Sequence, residues 1–345
     1  MTRLHVDLYS DVDTRPTPAM RQFMAAAEVG DEQKGEDPTV NLLQEMAAEL
    51  TGKQAALFLP SGTMCNLIAF TVHCRPGDEI IIEKNSHPVH FEGGAPAVHA
   101  RASIFPIETA RGIFTAADVD RAIRRDDPHF PKSRVVSLEN THNMGGGTVW
   151  PITAIAEVAA AARRHNLIMH LDGARLMNAV VASGVTTAQI CSHFDSVWID
   201  LTKGLGCPVG AVLAGTKDFI YQARRYKQLF GGAMRQAGII AAAGVYALRH
   251  NVERLAEDHA NARRLASALS EIRGITVEGA PETNIVMFDI AGTGLTRAEF
   301  FKRIESRGLR MSPRLSSTAV RAVTYLGIDA GAIDRAIAIV RAAVA

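Results

Sequence analysis

A single lysine follows an apolar stretch in the segment VWIDLTKGLGCPVG, residues 197–210. Lys203 comes after the predicted strand Ser196–Leu201 and before a loop of glycine, cysteine and proline. Most lysines in such positions are solvated surface residues, and the nearest acidic residue is Asp200. A lysine held at the end of a buried strand can instead form a Schiff base with an aldehyde.

Two other groups follow predicted strands in the same way. Asp172 comes after the strand Leu167–Leu171, and the tripeptide SGT, with Gly62 and Thr63, comes between the strand Ala55–Leu59 and a helix. In an open parallel sheet, ligands bind beyond the carboxyl ends of the strands. The free N–H groups at a helix start favour an anion such as phosphate.

Together, the lysine, the carboxylate and the helix start match the chemical needs of pyridoxal 5′-phosphate. The lysine would form the Schiff base, and the aspartate would keep the ring nitrogen protonated so that the ring accepts electrons. Each feature alone is common. Their order along the chain, each at a strand end, favours the combined interpretation.

Seven short motifs of the sequence resemble those of the threonine aldolases. These enzymes belong to the fold-type I pyridoxal-phosphate enzymes and are grouped with the β-eliminating lyases. The family's motifs appear in the family's order over roughly residues 7–245, with a weaker match beyond: DLYSDVDTRPTPAM, GEDPTVN, LFLPSGTMCN, SLENTHN, HLDGARLMNA, LTKGLGCPVG and GGAMRQAG. This resemblance implies retro-aldol cleavage of a β-hydroxy-α-amino acid to glycine and an aldehyde.

The resemblance also implies a role for several residues around the cofactor. Lys203 would carry the Schiff base, Asp172 would bind the ring nitrogen, and Arg175 would contact the phenolic oxygen. Phosphate would be held by Gly62 and Thr63, with Arg235 added from a neighbouring subunit. Structural salt bridges are the alternative interpretation of both arginines.

Other residues would serve the substrate. Ser10 and Arg321 would grip its carboxylate, since arginine suits bidentate binding of such an anion. The resemblance places His87 over the cofactor ring and His129 in the active site. Either histidine could be the base, directly or through a water, because its pKa lies near neutrality. The remaining active-site candidates, His142 and His170, are expected to be supporting residues at most.

Three positions depart from the family pattern. Tyr9 replaces an arginine, Val12-Asp13 follows the first aspartate of the motif where threonine is usual, and Lys34 replaces a tyrosine before GEDPT. We therefore expect Lys34 to lie near the substrate, and a larger or anionic β-substituent becomes conceivable. Neutral drift with ordinary aldolase activity is the alternative.

Competing functions remain open at this point. β-Elimination, transamination and racemisation need the same cofactor, so the fold cannot separate them from aldol cleavage. A cofactor-holding regulator is disfavoured, since it would not need Lys203, Asp172, His87 and Arg321 together. No GxxxxGK[ST] motif surrounds Lys203, and the GLG at 204–206 lacks a dinucleotide-binding context.

Composition excludes several classes of protein. The 345 residues are 47% hydrophobic and 21% charged with a net charge of +1, so neither nucleic acid nor an anionic membrane is expected as a partner. The four cysteines form no CxxC pair, and we predict no metal site and no disulfide framework. Without an apolar signal core or a run of about 20 apolar residues, a cytoplasmic protein is expected.

Apolar runs alternating with helical patterns predict an α/β fold. The resemblance implies a large domain with a mostly parallel seven-stranded sheet flanked by helices, residues 1–245, and a smaller α+β domain, residues 246–345. The apolar stretch IIAAAGVYAL after Gly238 is interpreted as buried between subunits. We expect a homo-oligomer, a dimer or tetramer, with active sites at the subunit interface and a small amino acid as substrate.

Overall fold

The computed structural model describes residues 4–314 and 316–345. The strands are β1 Val6–Asp7, β2 Ala55–Leu59, β3 Asp78–Glu83, β4 Ser103–Ile107, β5 Lys132–Glu139, β6 Ile168–Asp172, β7 Ser196–Asp200, β8 Ala211–Gly215, β9 Thr276–Val277, β10 Ile285–Asp289, β11 Leu309–Arg310, β12 Ser312–Pro313 and β13 Ala319–Val323.

The helices are α1 Pro18–Ala25, α2 Pro38–Thr51, α3 Gly62–His73, α4 His87–His90, α5 Ala116–Ala122, α6 Ile152–Arg164, α7 Leu176–Ser183, α8 Thr187–Cys191, α9 Lys217–Leu229, α10 Gly238–His250, α11 Leu255–Ser270, α12 Arg297–Glu305 and α13 Ala330–Val344. None of those in the described part of the chain is both long and apolar enough to cross a lipid bilayer.

A seven-stranded sheet in the order β2-β8-β7-β6-β5-β3-β4 forms the centre of the larger part. The strands from β4 to β7 pair in parallel, whereas β8 runs antiparallel to both of its neighbours. The carboxyl ends of β3, β5, β6 and β7 therefore meet at one edge. The predicted α/β class and mostly parallel sheet are confirmed.

Helix boundaries follow from residues that satisfy free backbone groups. At the start of α2, the Asp37 carboxylate accepts hydrogen bonds from the N–H groups of Thr39 and Val40, and Pro38 occupies the first turn. Gly52 ends the helix with a positive φ of 65°. A capping box of Thr296 and Glu299 likewise satisfies free N–H groups at the start of α12.

The smaller part contains a sheet in the order β12-β13-β10-β9, covered by α11, α12 and α13. The amino-terminal arm joins this part, because Val6 pairs in parallel with Leu309 and is buried in the same apolar cluster. The predicted boundary at 245/246 falls within α10. The division into domains 1–245 and 246–345 stays a prediction.

Strands β4 and β8 were not among the strands predicted from the sequence. β4, SIFPI, contains a proline, which disfavours a strand, and β8, AVLAG, consists mostly of small residues and ends in glycine, which weakens the strand signal. The interpretation of IIAAAGVYAL as a buried subunit contact is also wrong for most of its length. Within the chain, Ala241–Val245 are buried, because α10 packs on α1 and α2.

Two adjacent leucines of α2 allow a matched test of this core. Leu43 is fully buried next to Gly244 of α10, whereas Leu42 is 37% exposed. We expect Leu43→Ala to lower the free energy of unfolding by about 2–5 kcal/mol, through lost burial and the cavity it leaves. Urea denaturation measures the change. Leu42→Ala should lower the free energy of unfolding by well below half as much. Equal losses in the two variants would contradict the packing of Leu43 against α10.

Candidate active site

Each of the four middle strands of the central sheet ends in an acidic residue. Glu83, Glu139, Asp172 and Asp200 are the last residues of β3, β5, β6 and β7, and none exposes more than 8% of its surface. Glu139 and Asp172 are direct partners in the parallel register. The edge of the sheet is thus a row of buried carboxylates, each of which needs donors because burial disfavours charge.

Lys203 supplies the donor for the last of these carboxylates. Its Nζ donates to Asp200 Oδ2 at 2.5 Å, and both the N–H and the hydroxyl of Thr202 donate to Oδ1. The Lys203 side chain is 17% exposed. Its backbone has a φ of 42°, a left-handed conformation that non-glycine residues rarely adopt. The lysine is therefore held in the wall of a cleft rather than in bulk solvent.

The start of α3 lies in the same cleft. Ser61 caps the helix by accepting from the N–H of Met64, and the N–H groups of Gly62 and Thr63 meet no acceptor among the described residues. A Cβ on Gly62 would lie 2.3 Å from the Trp198 ring, so only glycine lets the helix start rest on the indole. The two free N–H groups can bind an anion.

The cleft has a volume of about 300 Å³. Of the residues predicted to act in the site, Lys203, Asp172, Gly62, Thr63 and His87 line it together. A small aromatic cofactor with a phosphate fits a cleft that combines an amine, a carboxylate and two free amide groups.

Asp172 is fully buried and lacks a cationic hydrogen-bond partner among the described residues. Its Oδ2 accepts from Asn66 Nδ2 at 2.8 Å, and its Oδ1 accepts from the N–H of Ala174 at 3.0 Å. Burial, with the nearby Glu139 charge, raises the pKa of Asp172 to about 7, although the Asn66 hydrogen bond opposes the shift. A cation placed in the cleft would restore the ionised form.

The carboxylates of Glu92 and Glu139 hold His87 in place in the cleft. Its Nδ1 lies 2.8 Å from Glu92 Oε1, and its backbone N–H donates to Glu139 Oε2. Burial lowers the pKa of His87, but the hydrogen bond to Glu92 and the charges around it raise it overall. The second Glu92 oxygen is buried without a partner among the described residues.

Arg175 forms a buried bidentate ion pair with the amino-terminal arm. Its Nε and Nη2 donate to the two oxygens of Asp11, each at 2.7 Å, and Asn284 of the smaller sheet donates to the same carboxylate. Burial raises the pKa of Asp11, but Arg175 outweighs it and lowers that pKa to about 2. This is the structural salt bridge named as the alternative, and the contact with the cofactor stays a prediction.

Arg321 of β13 is held by three acceptors. Its guanidinium donates to Asn143 Oδ1 at 2.7 Å, to Ser312 Oγ at 3.1 Å and to the carbonyl of Tyr9 at 3.3 Å. Burial lowers the pKa of Arg321 to about 10. Ser10, next to Tyr9, is buried as well. The arm thus brings Ser10 and Arg321 close together.

Ser10, Arg175 and Arg321 do not line the cleft themselves, and three other predicted site residues are exposed in the single chain. His129 precedes β5, at the other end of that strand from the site, where its side chain is 87% exposed and paired with Asp127. Arg235 and Lys34 are both exposed and both pair with Asp31. Their predicted roles need a neighbouring subunit or a different loop conformation, and they stay predictions.

The family model of the beta-eliminating lyases matches residues 7–293. The chain belongs to the beta-eliminating lyase family. The match confirms the resemblance found in the sequence motifs.

Three related proteins are similar to this lyase along nearly its whole length. Low specificity L-threonine aldolase of Escherichia coli K12 is 42% identical over 325 residues, 94% of this chain and 95% of that protein. Low-specificity L-threonine aldolase 1 of Arabidopsis thaliana is 39% identical over 331 residues, 94% and 92% of the two chains. The structure of Leishmania major threonine aldolase shares the fold, with a TM-score of 0.85, 21% identity and coverage of 99% and 100%.

Several residues of the lyase site were missed by sequence reasoning. The missed side chains surround the cleft and belong to Asn66, Glu92, Glu139 and Trp198. None of these residues lies in a sequence pattern that by itself indicates a chemical role. Asn66 lies four residues after Gly62 in LFLPSGTMCN, one helical turn into α3, and this spacing could have indicated a side chain facing the cleft. No group of three His, Cys, Asp or Glu side chains in the described ranges is arranged to hold a metal ion.

The contact between Gly62 and Trp198 gives a test of the helix start. We expect Gly62→Ala to weaken the binding of pyridoxal phosphate about tenfold, since the new methyl group overlaps the indole and displaces the free N–H groups. A fluorescence titration of cofactor-free protein measures the affinity.

Trp198→Phe removes the ring atoms that the new methyl group would overlap. When the double variant Gly62→Ala/Trp198→Phe is compared with both single variants, part of the affinity lost in Gly62→Ala should be regained. Gly331→Ala is the control, because a Cβ there meets nothing closer than 3.4 Å. Unchanged affinity in Gly62→Ala would show that the helix start does not hold the phosphate.

Proposed function

We propose that this lyase uses pyridoxal 5′-phosphate to cleave threonine and related β-hydroxy-α-amino acids into glycine and an aldehyde. The observation that carries the proposal is that Lys203 and Asp172 line one cleft with the free helix start of α3. The names of the Escherichia coli and Arabidopsis relatives support the choice of substrate.

The residues of the cleft fit this cofactor. Lys203 would hold it through a Schiff base, and Gly62 and Thr63 would bind its phosphate with their N–H groups. Asp172 would hold the ring nitrogen, because a buried carboxylate with only neutral donors favours a cationic partner. When bound, the cofactor supplies an electron sink for the pair released as the Cα–Cβ bond of the substrate breaks.

The protein's own side chains orient the substrate. We propose that Arg321 binds its carboxylate, with Ser10 beside it. Three acceptors fix the guanidinium before any ligand arrives, so little side-chain entropy remains to be lost on binding. The substrate is then held with its α-carbon toward Lys203.

Proton transfer is assigned to the histidine that lies in the cleft. Glu92 occupies Nδ1 of His87, and Nε2 has no partner among the described residues. We propose that Nε2 of His87 accepts the proton of the substrate's β-hydroxyl, directly or through a water. His129 stays the other candidate, supplied by a neighbouring subunit.

A homo-oligomer, a dimer or tetramer, is proposed with the active sites at its interface. Tyr221, Leu229 and Ile239 expose half or more of their surface in the single chain, and Arg235 is exposed as well. In such an assembly Arg235 would reach the phosphate of a neighbour, and Lys34 its substrate. A monomer in analytical ultracentrifugation at micromolar concentration would contradict this proposal.

A cytoplasmic location is proposed as well. All four cysteines are buried and free, as expected for a reducing compartment. Detection of the tagged chain outside the cytoplasmic fraction would contradict it.

The principal test is chemical. The purified protein should absorb as a yellow Schiff base, lose that band with borohydride, and release glycine and acetaldehyde from threonine or allo-threonine. Lys203→Ala should lose both the band and the activity, whereas the control Lys217→Ala, at an exposed lysine, should keep them. Keto acid and ammonia in place of glycine would indicate β-elimination, and no turnover despite bound cofactor would indicate a binding protein.

The role of Arg321 has a separate test. We expect Arg321→Lys to raise KM for threonine roughly ten- to hundredfold with a smaller effect on kcat, since a lysine cannot make the bidentate contact. Steady-state kinetics separate the two constants. Arg341→Lys is the matched control, because Arg341 is exposed and its ion-pair partner is the exposed Glu271. An unchanged KM would remove Arg321 from the substrate site.

A further inference from the structure

Asn66 makes all four hydrogen bonds that its side chain allows, within the buried floor of the cleft. Its Nδ2 donates to Glu92 Oε1 and Asp172 Oδ2, both at 2.8 Å. Its Oδ1 accepts from Trp198 Nε1 at 2.7 Å and lies 3.1 Å from Nε2 of His170. The residue has no exposed surface.

These contacts determine the orientation of the amide. The indole nitrogen of Trp198 can only donate, so the atom that faces it must be the oxygen of Asn66. The nitrogen therefore faces Glu92 and Asp172, which can only accept while they are ionised. A flipped amide would place its oxygen against two carboxylates and its N–H against an indole N–H.

The same reasoning fixes the protons farther from the cleft. His170 is fully buried, and burial lowers its pKa to about 3, so the ring is neutral. Because Nε2 donates to Asn66, Nδ1 carries the lone pair and accepts from the hydroxyl of Ser196 at 2.8 Å. With its proton used, the Ser196 oxygen accepts from Nε2 of His73, also at 2.8 Å.

A directed series of hydrogen bonds thus runs from His73 through Ser196 and His170 to Asn66, and ends on Asp172 and Glu92. We propose that Asn66 is a positioning residue which holds the Asp172 carboxylate for the cofactor's ring nitrogen, and that His170 and Ser196 fix the orientation of its amide. Every donor in this series, which we call the donor chain, points toward the carboxylates. This proposal rests on the proposed function.

The donor chain meets a specific electrostatic need. Burial and the charges of Glu139 and Glu92 raise the pKa of Asp172 against the opposing charge of His87, and no cation is bonded to Asp172 among the described residues. A protonated Asp172 would not attract a cationic ring nitrogen. Donors that polarise one another strengthen the terminal hydrogen bond to the carboxylate. The amide thus favours the ionised form before the cofactor arrives.

Two variants test the proposal by cofactor affinity rather than by activity. Asn66→Asp keeps the size of the side chain but turns a negative oxygen toward Asp172 and Glu92, and the dissociation constant of pyridoxal phosphate should rise about tenfold or more. Ser196→Ala removes the proton donor of His170 together with the acceptor of His73, and a two- to fivefold rise is expected. Ser192→Ala is the control, because that serine is exposed and its hydroxyl donates to the carbonyl of Gln189.

Nitrogen NMR of histidine-labelled protein gives a readout that needs no cofactor. His170, assigned with His170→Asn, should be neutral with its proton on Nε2 throughout pH 5–8. A proton on Nδ1, or a ring that titrates in this range, would overturn the donor chain even if a variant fails to fold.

The outcomes separate this proposal from the proposed function. If the wild-type protein cleaves threonine but both variants keep wild-type cofactor affinity, Asn66 is not a positioning residue. A variant that loses thermal stability in the cofactor-free form while its cofactor affinity is unchanged leads to the same conclusion. If the wild-type protein binds no pyridoxal phosphate, the proposed function itself fails.

Discussion

The burial of four carboxylates at one edge of the central sheet is the constraint on which the site depends. Two of them contact a basic side chain, since His142 lies against Glu83 and Lys203 donates to Asp200. Glu139 and Asp172 accept only from neutral amide groups in the described part of the chain, and of these two only Asp172 lines the cleft. A cationic group in the cleft would balance the charge of Asp172, in line with the proposed contact to the cofactor's ring nitrogen.

The fold produces this arrangement by simple means. Parallel pairing aligns the strand ends, and each end residue is followed by a loop or helix that brings its donor. Gly62 allows the start of α3 to contact Trp198 directly, and the tight turn at Lys203 returns its amine to Asp200. The amine of Lys203, the free start of α3 and the carboxylate of Asp172 thus lie within one small cleft.

The sequence predicted these central features well, because each is local. Lys203, Asp172 and Gly62 directly follow apolar runs, and strand ends in a parallel sheet share an edge. It could not predict the partner of Arg175, since Asp11 lies 164 positions away and only tertiary packing joins them. Strand β8 was missed for a related reason, as its small residues gain their strand conformation from neighbours on both sides. His129 shows the limit of analogy, because the single chain leaves it exposed.

The amino-terminal arm has a consequence for the order of assembly. Val6 needs Leu309 as its pairing partner, and Asp11 needs both Arg175 and Asn284. During synthesis the arm emerges about three hundred residues before Leu309. Closing so long a loop is slow relative to local contacts, so the contacts of the arm with the smaller part of the chain are expected to form late in folding.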